Sequence, residues 1–200
     1  IPDIIVARLP RYLRALSVLK NKGETTNSKE LGLLLGYSAA QIRKDLSQFG
    51  EFGKQGTGYN IDFLTQQIQS ILNIDKGWKM LLVGCGKVGH AILNYSGFSE
   101  SGYHVVAAVD ANPDLIGKTF ESGITIQNIE DAETIIQKEN IQIVMLTVPG
   151  SEAQKVAEKL VSYGIKGIVN YTNVILPLPK EIKVKNVNTA LILTEMAADR

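Results

Sequence analysis

Met80-Leu81-Leu82-Val83-Gly84-Cys85-Gly86-Lys87-Val88-Gly89 is the stretch that decides the fold of this chain of 200 residues. Its apolar start predicts a short buried strand, and a helical pattern follows the G-x-G-x-x-G run. In such a strand–loop–helix unit the three glycines permit a tight turn, close approach of a pyrophosphate and close helix–strand contact. The helix start supplies amide donors and a positive dipole end. The stretch therefore predicts a Rossmann dinucleotide-binding fold.

An acidic residue ends the next predicted strand, at the position where Rossmann folds hold a ribose. Residues 104–109 are rich in valine and alanine, and Asp110 follows them, 21 residues after Gly89. A carboxylate there accepts hydrogen bonds from the ribose and repels a 2′-phosphate, so NAD is favoured over NADP. The alternatives are a related domain that has lost its ligand or one that binds another nucleotide.

Further strand–helix alternation predicts a doubly wound parallel sheet, hence an α/β protein. Residues 141–146 and 168–169 are predicted strands, and Ser151 is the predicted cap of the helix between them. Ligands bind at the carboxyl ends of such strands, so the loops 147–150 and 170–173 should flank the nicotinamide half. The candidate cofactor-binding residues are Gly84, Gly86, Lys87, Val88, Gly89, Asp110, Lys118, Thr147, Val148, Pro149, Asn170 and Tyr171.

The front of the chain has a different pattern, with three predicted helices and a glycine-rich segment. Capping-box patterns at Asn27 and Ser38 predict the starts of the second and third helices, the third running to Phe49. Its outer face is small and polar with few charges, which suits entry into a DNA major groove. Asp45 is expected on the far flank, where it could orient Arg43 or Lys44.

The segment 50–59 holds four glycines and predicts a β-hairpin, the wing of a winged-helix domain. Its tip could reach a phosphate or a minor groove. A plain helical domain with a hairpin is the alternative interpretation, and a linking helix over 61–72 is expected to pack on the next domain. The candidate DNA-binding residues are Ser38, Ala40, Gln41, Arg43, Lys44, Ser47, Gln48, Lys54, Gln55 and Gly56.

Composition limits the remaining function classes. The net charge of +1 hides an excess of three basic residues in 1–77 and of two acidic residues in 78–200, and a basic front favours a nucleic-acid partner. Cys85 is the single cysteine, so neither a disulfide nor a multi-cysteine metal cage is expected. No apolar run could span a bilayer and no secretory leader opens the chain, so a cytoplasmic protein without metal or membrane partners is predicted.

Catalytic residues are not evident. No Tyr-x-x-x-Lys occurs, and His90 and His104 are predicted to be structural or solvated. A dehydrogenase needs a substrate pocket and a proton-transfer group, and the two predicted domains leave little chain for either. We therefore predict a regulator whose cofactor is a signal, with a small NAD-dependent oxidoreductase as the less favoured hypothesis.

Several blocks of the sequence resemble the Rex family of bacterial redox-sensing transcriptional repressors. They include 12–14, 41–47, 56–59, the glycine loop, 95–98, 146–149 and 164–168. The resemblance implies an N-terminal winged helix (1–77), a Rossmann domain (78–186) and a C-terminal helix (187–200) exchanged between two subunits. It further implies a homodimer that binds palindromic double-stranded operator DNA when NAD⁺ dominates and releases it when NADH binds.

The resemblance also assigns a coupling role between the two domains. Arg14 and Tyr95 match positions that the family uses to link the NADH pocket to the DNA-binding domain. The family usually places an Asp at the start of the exchanged helix, where this chain has Asn188 followed by Thr189. An uncharged Asn188 cannot form an ion pair with Arg14. A DNA-binding regulator with an altered or lost redox response is therefore the alternative hypothesis.

Overall fold

The chain divides into two units, Ile1–Lys76 and Gly77–Arg200. Both are seen in a computed structural model, which describes residues 2–50, 58–95 and 97–198. The first unit is mainly helical, with a two-stranded antiparallel sheet at its edge. Its elements are α1 Asp3–Val6, α2 Leu9–Lys20, β1 Thr25–Thr26, α3 Ser28–Leu35, α4 Ala39–Leu46, β2 Tyr59–Asn60 and α5 Ile61–Ile71.

The predicted helix starts of the first unit are confirmed by their caps. The Asn27 side chain accepts from the backbone N–H groups of Lys29 and Glu30, and Ser38 accepts from Gln41. Helix α4 ends at Leu46, earlier than predicted, and a short 3₁₀ turn continues to Phe49. The buried residues of α5 join the first unit's own core: Ile61, Leu64 and Ile68, with Leu9, Tyr12 and Leu16 among their neighbours.

Six parallel strands form the sheet of the second unit. They are β3 Trp78–Val83, β4 Tyr103–Asp110, β5 Ile126–Asn128, β6 Ile143–Leu146, β7 Gly167–Asn170 and β8 Lys183–Asn186. Their spatial order is β5-β4-β3-β6-β7-β8. This is the doubly wound Rossmann order. Successive strands are added first on one side of the first strand, β3, and then on its other side. The predicted α/β fold is confirmed.

Helices connect most of these strands and cover the sheet. They are α6 Lys87–Leu93, α7 Gly97–Glu100, α8 Ala132–Glu139, α9 Gly150–Ser162 and, after the last strand, α10 Thr189–Ala198. The buried central strands pack against α8 and α9 through apolar side chains such as Val144, Ile136 and Ala157. The prediction for Ser151 is wrong, because α9 already begins at Gly150 and its N-cap, Pro149, makes no side-chain cap.

Candidate cofactor and DNA-binding sites

The first glycine of the loop packs against the neighbouring strand end. Gly84 follows β3 with a φ of +94°, and a Cβ atom there would lie 2.8 Å from the carbonyl carbon of Thr147. The Thr147 hydroxyl in turn donates to the carbonyl oxygen of Val83 at 3.1 Å. The ends of β3 and β6 therefore meet where the strand order reverses, and only glycine fits this left-handed, crowded position.

The other two glycines have different surroundings. A Cβ on Gly89 would overlap the carbonyl oxygen of Gly84, whereas a Cβ on Gly86 would meet no atom within 4 Å. Gly89 therefore allows the first turn of α6 to pack directly against the glycine loop. Gly86 faces open space, as expected of a backbone that a pyrophosphate must approach closely.

Asp110 holds the glycine loop in place. Its Oδ2 atom accepts a hydrogen bond from the N–H of Cys85 at 2.6 Å, and its Oδ1 accepts from the N–H of Asn112 at 2.7 Å. An ionised carboxylate has about four acceptor sites, so each oxygen keeps the capacity to accept from a ribose hydroxyl. The structure gives Asp110 a role in ordering the loop that the sequence did not indicate.

A cavity of about 670 Å³ opens at these strand ends. The predicted residues Gly84, Gly86, Asp110, Thr147, Val148 and Pro149 line one part of it. Its other part is formed by side chains that the sequence reasoning missed, chiefly Leu115, Ile129, Val156, Leu160 and Tyr163. The helical spacing of Val156, Leu160 and the C-cap residue Tyr163 gave a signal, but the same spacing is typical of an ordinary helix facing the core.

A second cavity, of about 610 Å³, is lined partly by residues of α6. Three predicted cofactor residues, Lys87, Val88 and Tyr171, line it together with the predicted coupling residue Tyr95. Tyr95 is 62% exposed and contacts Phe98 edge to face, with ring centroids 5.0 Å apart. Burial raises the pKa of the Tyr171 phenol, so this group stays neutral.

Three predicted cofactor residues, Gly89, Asn170 and Lys118, do not line either cavity. Asn170 is fully buried, and its side chain donates to the Val174 carbonyl and to Asn186 while accepting from the N–H and hydroxyl of Thr172. Its amide therefore ties the loop after β7 to β8. Lys118 is exposed on the connection between β4 and β5.

The thiol inside the glycine loop is shielded. Cys85 is buried, and its Sγ lies 3.5 Å from the carbonyl oxygen of Val109. Burial, with a smaller effect from the negative charge of Asp110, raises the pKa of this thiol to about 12. The group stays protonated at neutral pH, which agrees with a small packing residue rather than a reactive thiolate.

In the first unit, α3 and α4 form a helix–turn–helix. Gly36 ends α3 with a φ of +71°, and a Cβ on Gly32 would lie 2.5 Å from the carbonyl oxygen of Tyr37. The turn therefore packs directly on α3, and the angle between the two helices depends on these glycines. Such a pair commonly places its second helix in the major groove.

The outer face of α4 and of the 3₁₀ turn after it is exposed and basic. The Arg43 guanidinium donates to the Ser28 hydroxyl at 3.2 Å, and the Ser47 hydroxyl donates to the carbonyl of Lys44. The exposed predicted residues are Ser38, Ala40, Arg43, Lys44, Ser47 and Gln48. The wing residues Lys54, Gln55 and Gly56 lie outside the described residues.

The expectation for Asp45 is wrong. Its carboxylate does not orient Arg43 or Lys44 but is fully buried, bonded to Arg8, Tyr12 and Gln41. Gln41 is therefore half-buried, with its amide nitrogen turned inward at 2.7 Å from the carboxylate. The positions of residues around the axis of α4 could not indicate these partners, because Arg8 and Tyr12 lie more than thirty residues earlier in the chain.

The remaining predicted coupling residues lie on different units. Arg14 is an exposed residue of α2. Asn188 caps α10, because its side-chain oxygen accepts from the N–H of Leu191 at 3.1 Å. An Asp and an Asn cap a helix about equally well. Asn188 can therefore cap α10 as the Asp that is usual in the family would. Four large apolar side chains of α10 are more than half exposed in the single chain: Leu191, Ile192, Leu193 and Met196.

Two absences apply to the described residues. No helix among them is long and apolar enough to cross a membrane. Within the same part of the chain, no cluster of three or more His, Cys, Asp or Glu side chains could hold a metal ion.

Comparison with known proteins bears on both units. Residues 1–47 match a family profile described as "Putative DNA-binding protein N-terminus", and residues 75–174 match one described as "CoA binding domain". A redox-sensing transcriptional repressor Rex from Roseiflexus sp. is 42% identical over 98% of this chain and 89% of its own length.

Two of the solved structures that match this chain over its full length contain a nicotinamide cofactor. The crystal structure of RSP in complex with β-NAD⁺ and operator DNA has a TM-score of 0.86 and 36% identity, and the match spans 92% of that chain. RSP in complex with β-NADH has a TM-score of 0.83 and 34% identity over 93% of that chain.

Proposed function

The chain belongs to the Rex family of redox-sensing transcriptional repressors, and from this premise we propose how its two units act. It is a DNA-binding repressor that senses the NADH/NAD⁺ ratio, and it is not an enzyme. The observation that carries this proposal is the glycine loop, with its open face at Gly86 and its bond to Asp110, in a chain that also holds an exposed basic helix.

The residues around the first cavity fit NAD(H). The loop at Gly84 and Gly86 would hold the pyrophosphate through backbone amides, and Asp110 would accept from the adenosine ribose. The apolar end of the cavity, at Val156, Leu160 and Tyr163, would pack against the adenine. Bound nicotinamide supplies the redox signal, since its oxidised ring carries a positive charge and its reduced ring does not.

The second cavity suits the coupling role. Its lining includes Lys87, Val88, Tyr95 and Tyr171. A change in the oxidation state of the nicotinamide at the loop would therefore alter the surroundings of Tyr95. We assign Tyr95, Arg14 and Asn188 to the transfer of this signal to the DNA-binding unit.

The protein acts as a homodimer on a palindromic operator, in our proposal. Exposed apolar side chains along α10 need a partner surface, and a second copy supplies one. Each subunit would place α4 in one major-groove half-site, with Lys44 at the centre of the contact. An operator-reading protein works where chromosomal DNA is, and we propose the cytoplasm as its compartment.

The two alternatives gain no support. The similarity to Rex repressors over nearly the whole chain argues against an oxidoreductase. Asn188 retains the helix cap, so the exchange of Asp for Asn leaves the start of α10 intact.

Operator binding measured against both nucleotides tests this function. The parent protein would first select palindromic sites from randomised DNA without cofactor. Affinity for a selected site, at one fixed salt concentration, would then be measured with saturating NAD⁺ and with saturating NADH. We expect binding to persist with NAD⁺ and to weaken about 5- to 150-fold with NADH, whereas equal affinities would contradict redox sensing.

A further inference from the structure

The buried carboxylate of Asp45 joins the DNA-reading helix to α2. Its Oδ1 accepts from the Arg8 guanidinium at 3.0 Å and from the Gln41 amide at 2.7 Å, and its Oδ2 accepts from the Tyr12 hydroxyl at 2.9 Å. The Asp45 side chain is 1% exposed, while that of Arg8 is 22% exposed. Two of the three donors therefore come from the α2 region and one from α4 itself.

A second contact reaches the turn between α3 and α4. The Arg8 guanidinium lies over the Tyr37 ring, 5.7 Å from its centroid. The neighbouring Arg11 donates to the Tyr37 hydroxyl at 3.2 Å. The start of α2 thus holds both the reading helix and the turn that leads into it.

The protonation of Tyr12 agrees with this arrangement. Burial and the bond to the carboxylate hold the pKa of Tyr12 well above its usual range. The phenol is therefore a permanent donor to Asp45 over the range in which the protein would bind DNA.

The hydrogen bonds of Asp45 to Arg8 and Tyr12 fix the rotation of α4 about its own axis relative to α2. An α-helix turns by about 100° per residue, so a slip of one residue would carry Asp45 away from Arg8 and Tyr12. Such a slip would leave a buried carboxylate without its cation, which is strongly unfavourable. A buried ion pair adds little stability compared with apolar residues of similar size, and its best-attested use is to fix a register.

We propose that Asp45 is a positioning residue for operator recognition, which sets the rotation of α4 so that Lys44, Ser47 and Gln48 face the DNA bases. Arg8 and Tyr12 act through Asp45. The amide of Gln41 is fixed in the same way, because only its nitrogen can face the carboxylate. This inference rests on the proposed DNA-binding function and adds the source of its specificity.

The test compares specific with non-specific DNA affinity in Asp45→Asn. The full-length chain would be titrated with a selected operator and with scrambled DNA of equal length. Phosphate contacts dominate non-specific binding and base contacts give specificity. We expect operator affinity to fall about tenfold or more, as for one lost hydrogen bond to a charged group, with scrambled-DNA affinity changed by less than about twofold.

Asp62→Asn is the matched control. Asp62 forms an ion pair with Lys20 at 2.7 Å that also joins α2 to another helix, but both side chains are more than 60% exposed. This variant should bind both DNAs as the parent does. Thermal unfolding and NADH affinity would be measured for every variant.

The outcomes separate the two proposals. Retained operator selectivity in Asp45→Asn, or an equal loss on both DNAs, would overturn the positioning role and leave the repressor function standing. If Asp45→Asn does not fold, Tyr12→Phe, which keeps the other two bonds, decides by the same ratio. A parent protein that selects no site would overturn both proposals.

Discussion

Lys44 lies on the exposed face of α4, opposite the buried side chains Ile42 and Leu46. A lysine amine at that place can donate to guanine in the major groove or neutralise a phosphate. Lys44→Ala should weaken selective operator binding by about 1–3 kcal/mol, the contribution of a base contact. NADH binding should be unchanged, because Lys44 belongs to the first unit.

A fluorescence anisotropy titration with operator and scrambled DNA checks this prediction. Lys29→Ala, which removes an exposed lysine from the start of α3, is the control and should keep its selectivity. Full selectivity in Lys44→Ala would show that α4 is not the reading helix.

Asp110 serves both the glycine loop and the proposed ribose contact. Asp110→Ala removes the acceptor for the Cys85 N–H as well as any bond to a ribose. We expect NADH affinity to fall about 10- to 100-fold, as for one or two hydrogen bonds to a charged group, with cofactor-free operator binding intact. Calorimetry with NADH provides the measurement, and Asp114→Ala, an exposed neighbour, is the control. Unchanged NADH affinity would disprove the ribose assignment.

Individual residues show which side-chain roles the sequence could predict. Gly84, Gly86 and Asp110 lie where the spacing placed them, because the backbone demands of a phosphate loop are local. The expectation for Asp45 was wrong and the hydrogen bonds of Asn170 were not foreseen, since both depend on partners elsewhere in the chain. The local sequence pattern does not indicate which distant residues will become hydrogen-bond partners in the folded chain.

At the scale of elements, the glycine loop offers a matched pair of substitutions. Gly89→Ala would force a Cβ against the Gly84 carbonyl, whereas Gly86→Ala would add one in open space. We expect Gly89→Ala to destabilise the second unit by about 1–3 kcal/mol, as overpacking does. Gly86→Ala should keep the parent's unfolding temperature yet lose NADH affinity. Thermal unfolding and NADH titration distinguish the two, and equal behaviour of the variants would contradict their separate roles.

The cap of α10 supports a second prediction. Asn188→Ala removes the acceptor for the Leu191 N–H, and a lost cap costs about 1 kcal/mol. If α10 joins two subunits, Asn188→Ala should raise the dimer dissociation constant, while Asn188→Asp should not. Sedimentation equilibrium measures this. An unchanged dissociation constant in Asn188→Ala would separate α10 from the dimer contact.

The elements themselves were predictable to different degrees. The central strands β3, β4, β6 and β7 were expected because their sequences are short runs of apolar residues. Strand β8, Lys183–Asn186, was missed because its lysine-rich sequence resembles a loop, and it pairs only at the sheet edge. Edge strands commonly carry lysine, and the same composition is typical of a loop, so composition alone could not indicate β8.

At the scale of the whole molecule, the net charge of +1 combines a basic DNA-binding unit with a slightly acidic nucleotide-binding unit. Each site is built inside its own unit, so redox control requires a coupling free energy between them. Such coupling is reciprocal for binding equilibria: if NADH weakens operator binding, the operator must weaken NADH binding by the same factor.

NADH affinity with and without saturating operator DNA is the measurement that tests this account most directly. For a coupling of about 1–3 kcal/mol, the dissociation constant for NADH should rise about 5- to 150-fold on the operator. Scrambled DNA should leave the constant unchanged. The same NADH dissociation constant on free and operator-bound protein would contradict a redox-sensing repressor.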